Sequence, residues 1–126
     1  MDTVVIAGKK YDEFRISKEK EEYIKLEAVD LCFALSKLVY DKSSLVRIAV
    51  ARKKVGHEFL VNDESWHVRA TVAKYTDNSK VIDLLARDEN DFVRFVIVKR
   101  GYCLDYFTND ADEEIAAIAR YQLQQV

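Results

Sequence analysis

DKSSLVRIAVAR (Asp41–Arg52), DESWHVRATVAK (Asp63–Lys74) and DENDFVRFVIVK (Asp88–Lys99) are three spellings of one phrase, and DADEEIAAIARY (Asp110–Tyr121) is a fourth, worn copy. Their aspartates stand 22, 25 and 22 residues apart. Self-similarity at such a period is the mark of stacked structural repeats, in which no unit can bury its apolar face alone. Counted from each Asp, the sixth residue is Val46, Val68, Val93 or Ile115, and the tenth is Val50, Val72, Ile97 or Ala119. These positions lie one helical turn apart and share a face. The eleventh residue, Ala51, Ala73 or Val98, marks a flanking stripe where small side chains admit a neighbouring helix. Each phrase therefore predicts an amphipathic helix packed on two sides, with Asp41, Asp63, Asp88 and Asp110 expected as its N-caps. Apolar doublets before the later aspartates, Phe59-Leu60, Leu84-Leu85 and Tyr106-Phe107, predict the inward face of a second, shorter helix in each unit.

Outside the repeats, Val4, Val5 and Ile6 precede a Gly-Lys-Lys turn, and Tyr11, Phe14 and Ile16 follow it. That pattern reads as a β-hairpin or an extended arm over residues 1–16. Ser17 is placed as an N-cap, with Glu19, Glu21 and Glu22 suited to the positive end of a helix dipole. Tyr23, Leu26, Ala28, Val29, Cys32, Phe33, Leu35 and Leu38 then recur at helical spacing, so 17–40 is expected to be one long helix capping the stack.

Composition bounds the function classes. The chain has 126 residues, 49% apolar and 33% charged, with a formal charge of −2. Such a balance gives no general attraction to nucleic acid or anionic lipid. Residues 41–80 carry eight Lys/Arg against five Asp/Glu, whereas 81–126 carry five against nine, so a basic middle meets an acidic end. No apolar run approaches the ~20 residues needed to span a bilayer. The stretch MDTVVIAGKKYDEF holds too short an apolar run for a signal-peptide core. Cys32 and Cys103 are the only cysteines and read as buried thiols in a reducing, cytoplasmic setting. No proline occurs, so Asp, Asn, Ser and three glycines must punctuate the helices.

Paired helices with a D-x-x-x-x-V-R-x-x-V-A core resemble HEAT-like repeats. With its period of 22 to 25 residues the pattern is closest to the variant leucine-rich repeat, over residues 41–126. The resemblance implies an all-α fold: a short right-handed α-solenoid alternating longer and shorter helices. It also implies a scaffold rather than an enzyme. Some proteins of that kind carry an N-terminal cysteine cluster for iron–sulfur, but Cys32 stands alone here, so no cofactor is carried over.

Three sets of residues remain as candidates for chemistry. Arg47, Arg69 and Arg94 hold the seventh position, where a planar fork can bridge a carboxylate and backbone carbonyls. With Asp41, Asp63 and Asp88 they are expected to form a structural ladder. The last copy has Ala116 in place of the Arg. Arg52, Lys74 and Lys99 hold the twelfth position, joined by Lys53, Lys54 and Arg100. Basic residues there complement helix C-termini, and they also form a stripe able to contact a nucleic-acid backbone or an acidic protein surface, with Tyr75, Tyr102 and Trp66 nearby for stacking. Trp66 holds a fourth position otherwise occupied by Ser44, Asp91 and Glu113. It reads either as an interface anchor or as packing on Phe59-Leu60.

Nothing points to catalysis or metal. His57 and His67 are ten residues apart with no further Cys or His close by. Asp88-Glu89 and Glu113-Glu114 sit at helix starts, and Gly8, Gly56 and Gly101 are isolated. The expectation is one domain over 1–126: hairpin or arm 1–16, capping helix 17–40, three repeats 41–109 and a terminal capping repeat 110–126. Its expected role is non-enzymatic protein–protein binding through the stacked helices. The alternative is nucleic-acid backbone binding through the Arg52/Lys74/Lys99 column. Self-association through the N-terminal arm is a third arrangement, and no membrane contact is expected.

Overall fold

A computed structural model describes residues 2–125, which hold one two-stranded antiparallel sheet and ten helices. Strands β1 (Val4–Ile6) and β2 (Lys9–Tyr11) pair Val4 with Tyr11 and Ile6 with Lys9. The turn is Ala7-Gly8, with φ of 51° and 78°. Positive φ at both central residues matches the twist of the flanking strands, which is why a two-residue hairpin closes here. The N-terminal segment is thus a hairpin, and its turn lies one residue earlier than Gly-Lys-Lys. Ile6 and Tyr11 are buried against α1 (Glu13–Ser17) and α2 (Glu22–Asp30), while Val5 faces solvent.

The long helix expected over 17–40 does not form. Ser17 ends α1, with its hydroxyl bonded back to the Phe14 carbonyl, and Glu21 opens α2. After α2 the chain enters the left-handed region at Cys32 and Ala34 before a one-turn helix, α3 (Leu35–Leu38). Two such residues cannot sit inside an α-helix, so the apolar period belongs to two helices rather than one. Residues 22–38 are therefore a long-short pair like those that follow: α4 (Ser44–Arg52) with α5 (His57–Leu60), α6 (Trp66–Tyr75) with α7 (Ser79–Ala86), and α8 (Asp91–Lys99) with α9 (Leu104–Phe107). Helix α10 (Glu113–Gln124) ends the described chain.

The long helices pack in sequence, α2 on α4, α4 on α6, α6 on α8 and α8 on α10. Val46, Val50 and Ala51 are fully buried, as are Val68, Val72 and Ala73, and Val93, Ile97 and Val98. The equivalent positions thus occupy equivalent interiors, within one apolar cluster that runs from Ile6 to Ala119. The doublets divide. Leu60, Leu85 and Phe107 are buried, but Phe59, Leu84 and Tyr106 are about half exposed, because a one-turn or two-turn helix has a single inward stripe.

Three of the four long-to-short connections repeat one loop. Cys32 and Ala34, Lys54 and Gly56, and Gly101 and Cys103 all have φ between 55° and 88°. At Gly56 glycine is required twice over, since a Cβ would stand 2.6 Å from Val39 Cγ2. The connection from α6 to α7 differs. Thr76 is extended, and Asn78 caps α7 through the Lys80 and Val81 amides. The longer 25-residue unit accordingly has a short helix of eight residues, where α5 has four.

Asp41, Asp63, Asp88 and Asp110 are not the N-caps. The caps are Ser43, Ser65, Asn90 and Asp112, two residues later, and all but Ser65 receive amide bonds from the first turn. Each repeat aspartate instead accepts the amide of the cap residue, at 2.8 to 3.0 Å, in an Asx turn. Its carboxylate then meets the preceding unit. Arg47 Nε and Nη2 bond Asp63 at 2.7 and 3.1 Å, Arg69 bonds Asp88 at 2.8 and 3.1 Å, and Arg94 bonds Asp110 at 3.0 and 3.2 Å. Nη1 of each Arg reaches the backbone carbonyl of the Asp in its own unit, Asp41, Asp63 or Asp88, at 2.7 to 2.9 Å.

The ladder has a further rung that the repeat phrase hides. Lys25, only 3% exposed on α2, bonds both oxygens of Asp41 at 3.0 and 3.1 Å. The bond to the carboxylate raises the pKa of each Arg in the ladder, against the opposing pull of desolvation. No buried side-chain nitrogen or oxygen among the described residues lacks a partner.

Arg69→Met should cost roughly 3 kcal/mol in urea unfolding, because it strands the Asp88 carboxylate in a mostly buried site. Arg69→Lys should recover part of that loss, keeping charge without the fork. Gly56→Ala should lower the midpoint of thermal unfolding clearly more than Gly8→Ala. Both carry a left-handed cost of about 1–2 kcal/mol, but a Cβ at Gly8 meets nothing within 4 Å.

Candidate binding surface

The twelfth-position cations Arg52, Lys74 and Lys99 close the last turns of α4, α6 and α8 and are exposed, as are Lys53 and Lys54. Arg100 departs from them. It folds back on α6, with Nη1 2.6 Å from the Ala73 carbonyl and 2.9 Å from that of Thr76, and its Cζ lies 5.1 Å from the Tyr102 ring. Its Nη2 also stands 3.6 Å from Asp77, and Lys54 Nζ stands 3.0 Å from the same carboxylate. The Lys54 bond holds the Asp77 carboxyl below the usual range, with Arg100 and His57 adding to the effect. Lys54 and Arg100 thus belong to a local cluster that closes the end of α6, while Arg52, Lys53, Lys74 and Lys99 point to solvent. Lys74 lies 5.6 Å from the half-buried Tyr75 ring.

The same outward stripe carries apolar side chains. Residues 45, 48 and 52 of α4 and 92, 95 and 99 of α8 follow i, i+3, i+7 spacing, so Leu45 and Ile48 line up with Arg52, and Phe92 and Phe95 with Lys99. Leu45 is 55% exposed and Phe92 47%. Trp66, 37% exposed, opens α6 beside them. Its ring stacks on His67 at 3.7 Å and meets Phe92 edge-on at 5.7 Å, and Phe92 stacks on Phe95 at 5.9 Å. Phe59 pairs instead with Tyr40, at 4.8 Å. Trp66 is therefore joined to the next long helix, within an aromatic cluster that keeps one side open to water. The Phe92–Phe95 part of this row was not singled out from sequence. Its signal was present, as apolar residues at the fifth and eighth positions of a unit whose sixth and tenth already face inward.

Beyond Phe95 the surface dips into a hollow of about 260 Å³ between α8 and α10, lined by Asp91, Phe92, Phe95, Asp112, Glu114 and Ile115. A larger hollow, about 590 Å³, lies beside Tyr40, Phe59, Asp41, Arg47 and Asp63. There the Arg and Asp groups are already spent on the ladder.

The histidines and cysteines are accounted for locally. His57 Nε2 lies 2.8 Å from the Ala51 carbonyl at the end of α4. Among the described residues no group of three or more His, Cys, Asp or Glu is arranged to hold a metal ion, and no helix is long and apolar enough to cross a membrane. The cysteines are not core residues as expected: Cys32 is exposed and Cys103 half-buried, because both occupy left-handed loop positions rather than helix faces. Burial pushes the Cys103 thiol up, and Asp83, 3.6 Å away, adds to the shift.

Comparison of the chain with protein-family models, with curated proteins and with solved structures finds no match.

Arg100→Ala should cost about 1–3 kcal/mol of folding stability by stranding the Ala73 and Thr76 carbonyls. Lys99→Ala, one residue away but exposed and without a hydrogen-bond partner among the described residues, should stay within about 0.5 kcal/mol of the parent. Chemical denaturation of the two variants side by side separates structural from free members of the basic column.

Proposed function

We propose that the chain is a short right-handed α-solenoid of HEAT-like units, closest to the variant leucine-rich repeat, and that it works as a non-enzymatic module binding another protein through the outward face of its long helices. Support for the architecture comes from the sequential packing of α2, α4, α6, α8 and α10 and from the ladder that joins successive units. Support for binding rests on one observation above the rest: Trp66 and Phe92, both exposed, form a connected aromatic surface that the partly buried Phe95 continues. Trp is the residue type most enriched among the few that dominate binding energy, and a rigid helix face loses little entropy when it docks. The two unpaired cysteines suit a reducing, cytoplasmic setting.

The nucleic-acid reading is weakened. Of its six cations, Lys54 is paired with Asp77 and Arg100 is spent on helix carbonyls. The four that remain are spread over three helix ends, on a chain of charge −2. Self-association through β1 would rest on three residues of strand, too few to hold a dimer unaided.

Affinity capture from native extract, with and without nuclease, decides among these readings. A specific partner should survive nuclease and 0.5 M salt, and should fall by about tenfold or more with Phe92→Ala plus Phe95→Ala. It should be indifferent to Arg52→Ala, Lys74→Ala and Lys99→Ala combined. Retention that vanishes both with nuclease and with the triple variant would replace the protein-binding reading with the phosphate-backbone one.

A further inference from the structure

The hollow between α8 and α10 differs in chemistry from the rest of the outward face. Its apolar wall is the stacked pair Phe92 and Phe95, and Ile115, buried, forms part of the floor. Its polar lining is three carboxyl groups and no cation: Asp91 from the first turn of α8, and Asp112 and Glu114 from the start of α10. Asp112 has one oxygen occupied, accepting from the Glu114 and Ile115 amides. Asp91 and Glu114 are exposed, and among the described residues neither side chain has an ion pair or hydrogen bond. Arg94, on the same helix, is committed by its hydrogen bonds to Asp110 and to the Asp88 and Glu89 carbonyls, and it reaches Asp91 and Asp112 only through the longer-range attraction that adds to its raised pKa. An aromatic wall facing unpaired carboxylates is a cation's environment on both counts: ring faces attract a cation within about 6 Å of the centroid, and carboxylates supply the charge-assisted bonds.

We propose that the hollow receives a Lys or Arg side chain from a basic segment of a partner polypeptide, stacked on Phe92 and Phe95 and bonded by Asp91 and Glu114. This rests on the protein-binding reading and gives that partner a chemistry. It also gives the partner a direction. The carboxylates lie at the N-terminal edge of the long helices and Arg52, Lys74 and Lys99 at the other edge, so the segment runs its basic side along the N-terminal edge. Occupancy of the aromatic row by an acidic or purely apolar segment would desolvate these carboxylates with no counter-charge beyond Arg94, whose hydrogen bonds go elsewhere.

Trp66 is the single tryptophan of the chain and touches Phe92, so its fluorescence reports occupancy of the row. The probe is a positional-scanning library of short synthetic peptides with one position fixed in turn as Arg, Lys, Glu, Leu or Phe, applied to the full chain. Arg- and Lys-fixed pools are expected to bind and shift Trp66 emission. Asp91→Asn with Glu114→Gln should weaken them by about tenfold while preserving the circular dichroism of the parent and lowering its unfolding midpoint only slightly, since both carboxylates also complement helix N-termini. Leu- or Phe-fixed pools binding best, sensitive to Phe92→Ala and Phe95→Ala but not to the carboxamide variant, would overturn the cation site and leave the protein-binding reading standing. No pool binding the parent better than the Phe92→Ala/Phe95→Ala variant would overturn both. Sedimentation of the chain alone as a dimer that Phe95→Glu dissolves would assign the face to a second copy and overturn the cation site.

Discussion

A guanidinium held by two successive units is the contact on which this structure depends. In Arg47, Arg69 and Arg94 one nitrogen binds the aspartate carbonyl of its own unit while the other two grip the aspartate carboxylate of the next. A planar fork with fixed angles can satisfy both only at one separation and one rotation between units. Apolar burial drives the helices together but is non-directional, so it leaves their relative slide weakly specified. The ladder removes that freedom at each junction. It is stabilised less by charge attraction, which desolvation largely offsets, than by the completeness of its hydrogen bonding.

The aspartate's double duty explains its recurrence. One of its oxygens sets an Asx turn by accepting the amide of the cap residue, and both receive the preceding unit's Arg or Lys. Local chain reversal and long-range docking are thereby tied to a single side chain. At the N-terminal junction the same aspartate, Asp41, meets Lys25, whose single ammonium binds both oxygens without also bonding a carbonyl of its own unit as the arginines do. Ala116 has no such group to offer, and α10 is the last helix described.

With the inner faces committed to packing and one edge to the ladder, the outward stripe of the long helices is the surface left to vary. Its fifth and eighth positions are Leu45 and Ile48, His67 and Ala70, Phe92 and Phe95, and Glu114 and Ala117 in successive units. The eighth position is partly committed, since Ala70 is buried and Ile48 and Phe95 pack on the core, whereas at the fourth and fifth the exposed Trp66 and Phe92 meet no demand of the helical register. Its chemistry changes from one long helix to the next and between the two helix ends.

Much of this was legible in the sequence, and the residues that were not share a cause. The period, the buried Val columns and the Arg–Asp correspondence could be read because repeated units repeat their environments. The break at Cys32–Ala34 could not, since left-handed residues there are not glycine and a continuous apolar period runs through them. The true caps were hidden by a more conspicuous aspartate two positions earlier, and Lys25 was hidden because its unit had lost both the Asp and the Arg spelling. The exposed Phe92 and the partly buried Phe95 could not be told from core by type, as apolar residues occupy surface and interior alike. The sequence by itself determined which residues are equivalent, because equivalence is a matter of spacing along the chain. Only the tertiary structure decided which equivalent groups meet across a junction and which face water, because those depend on how far one helix lies from the next in space.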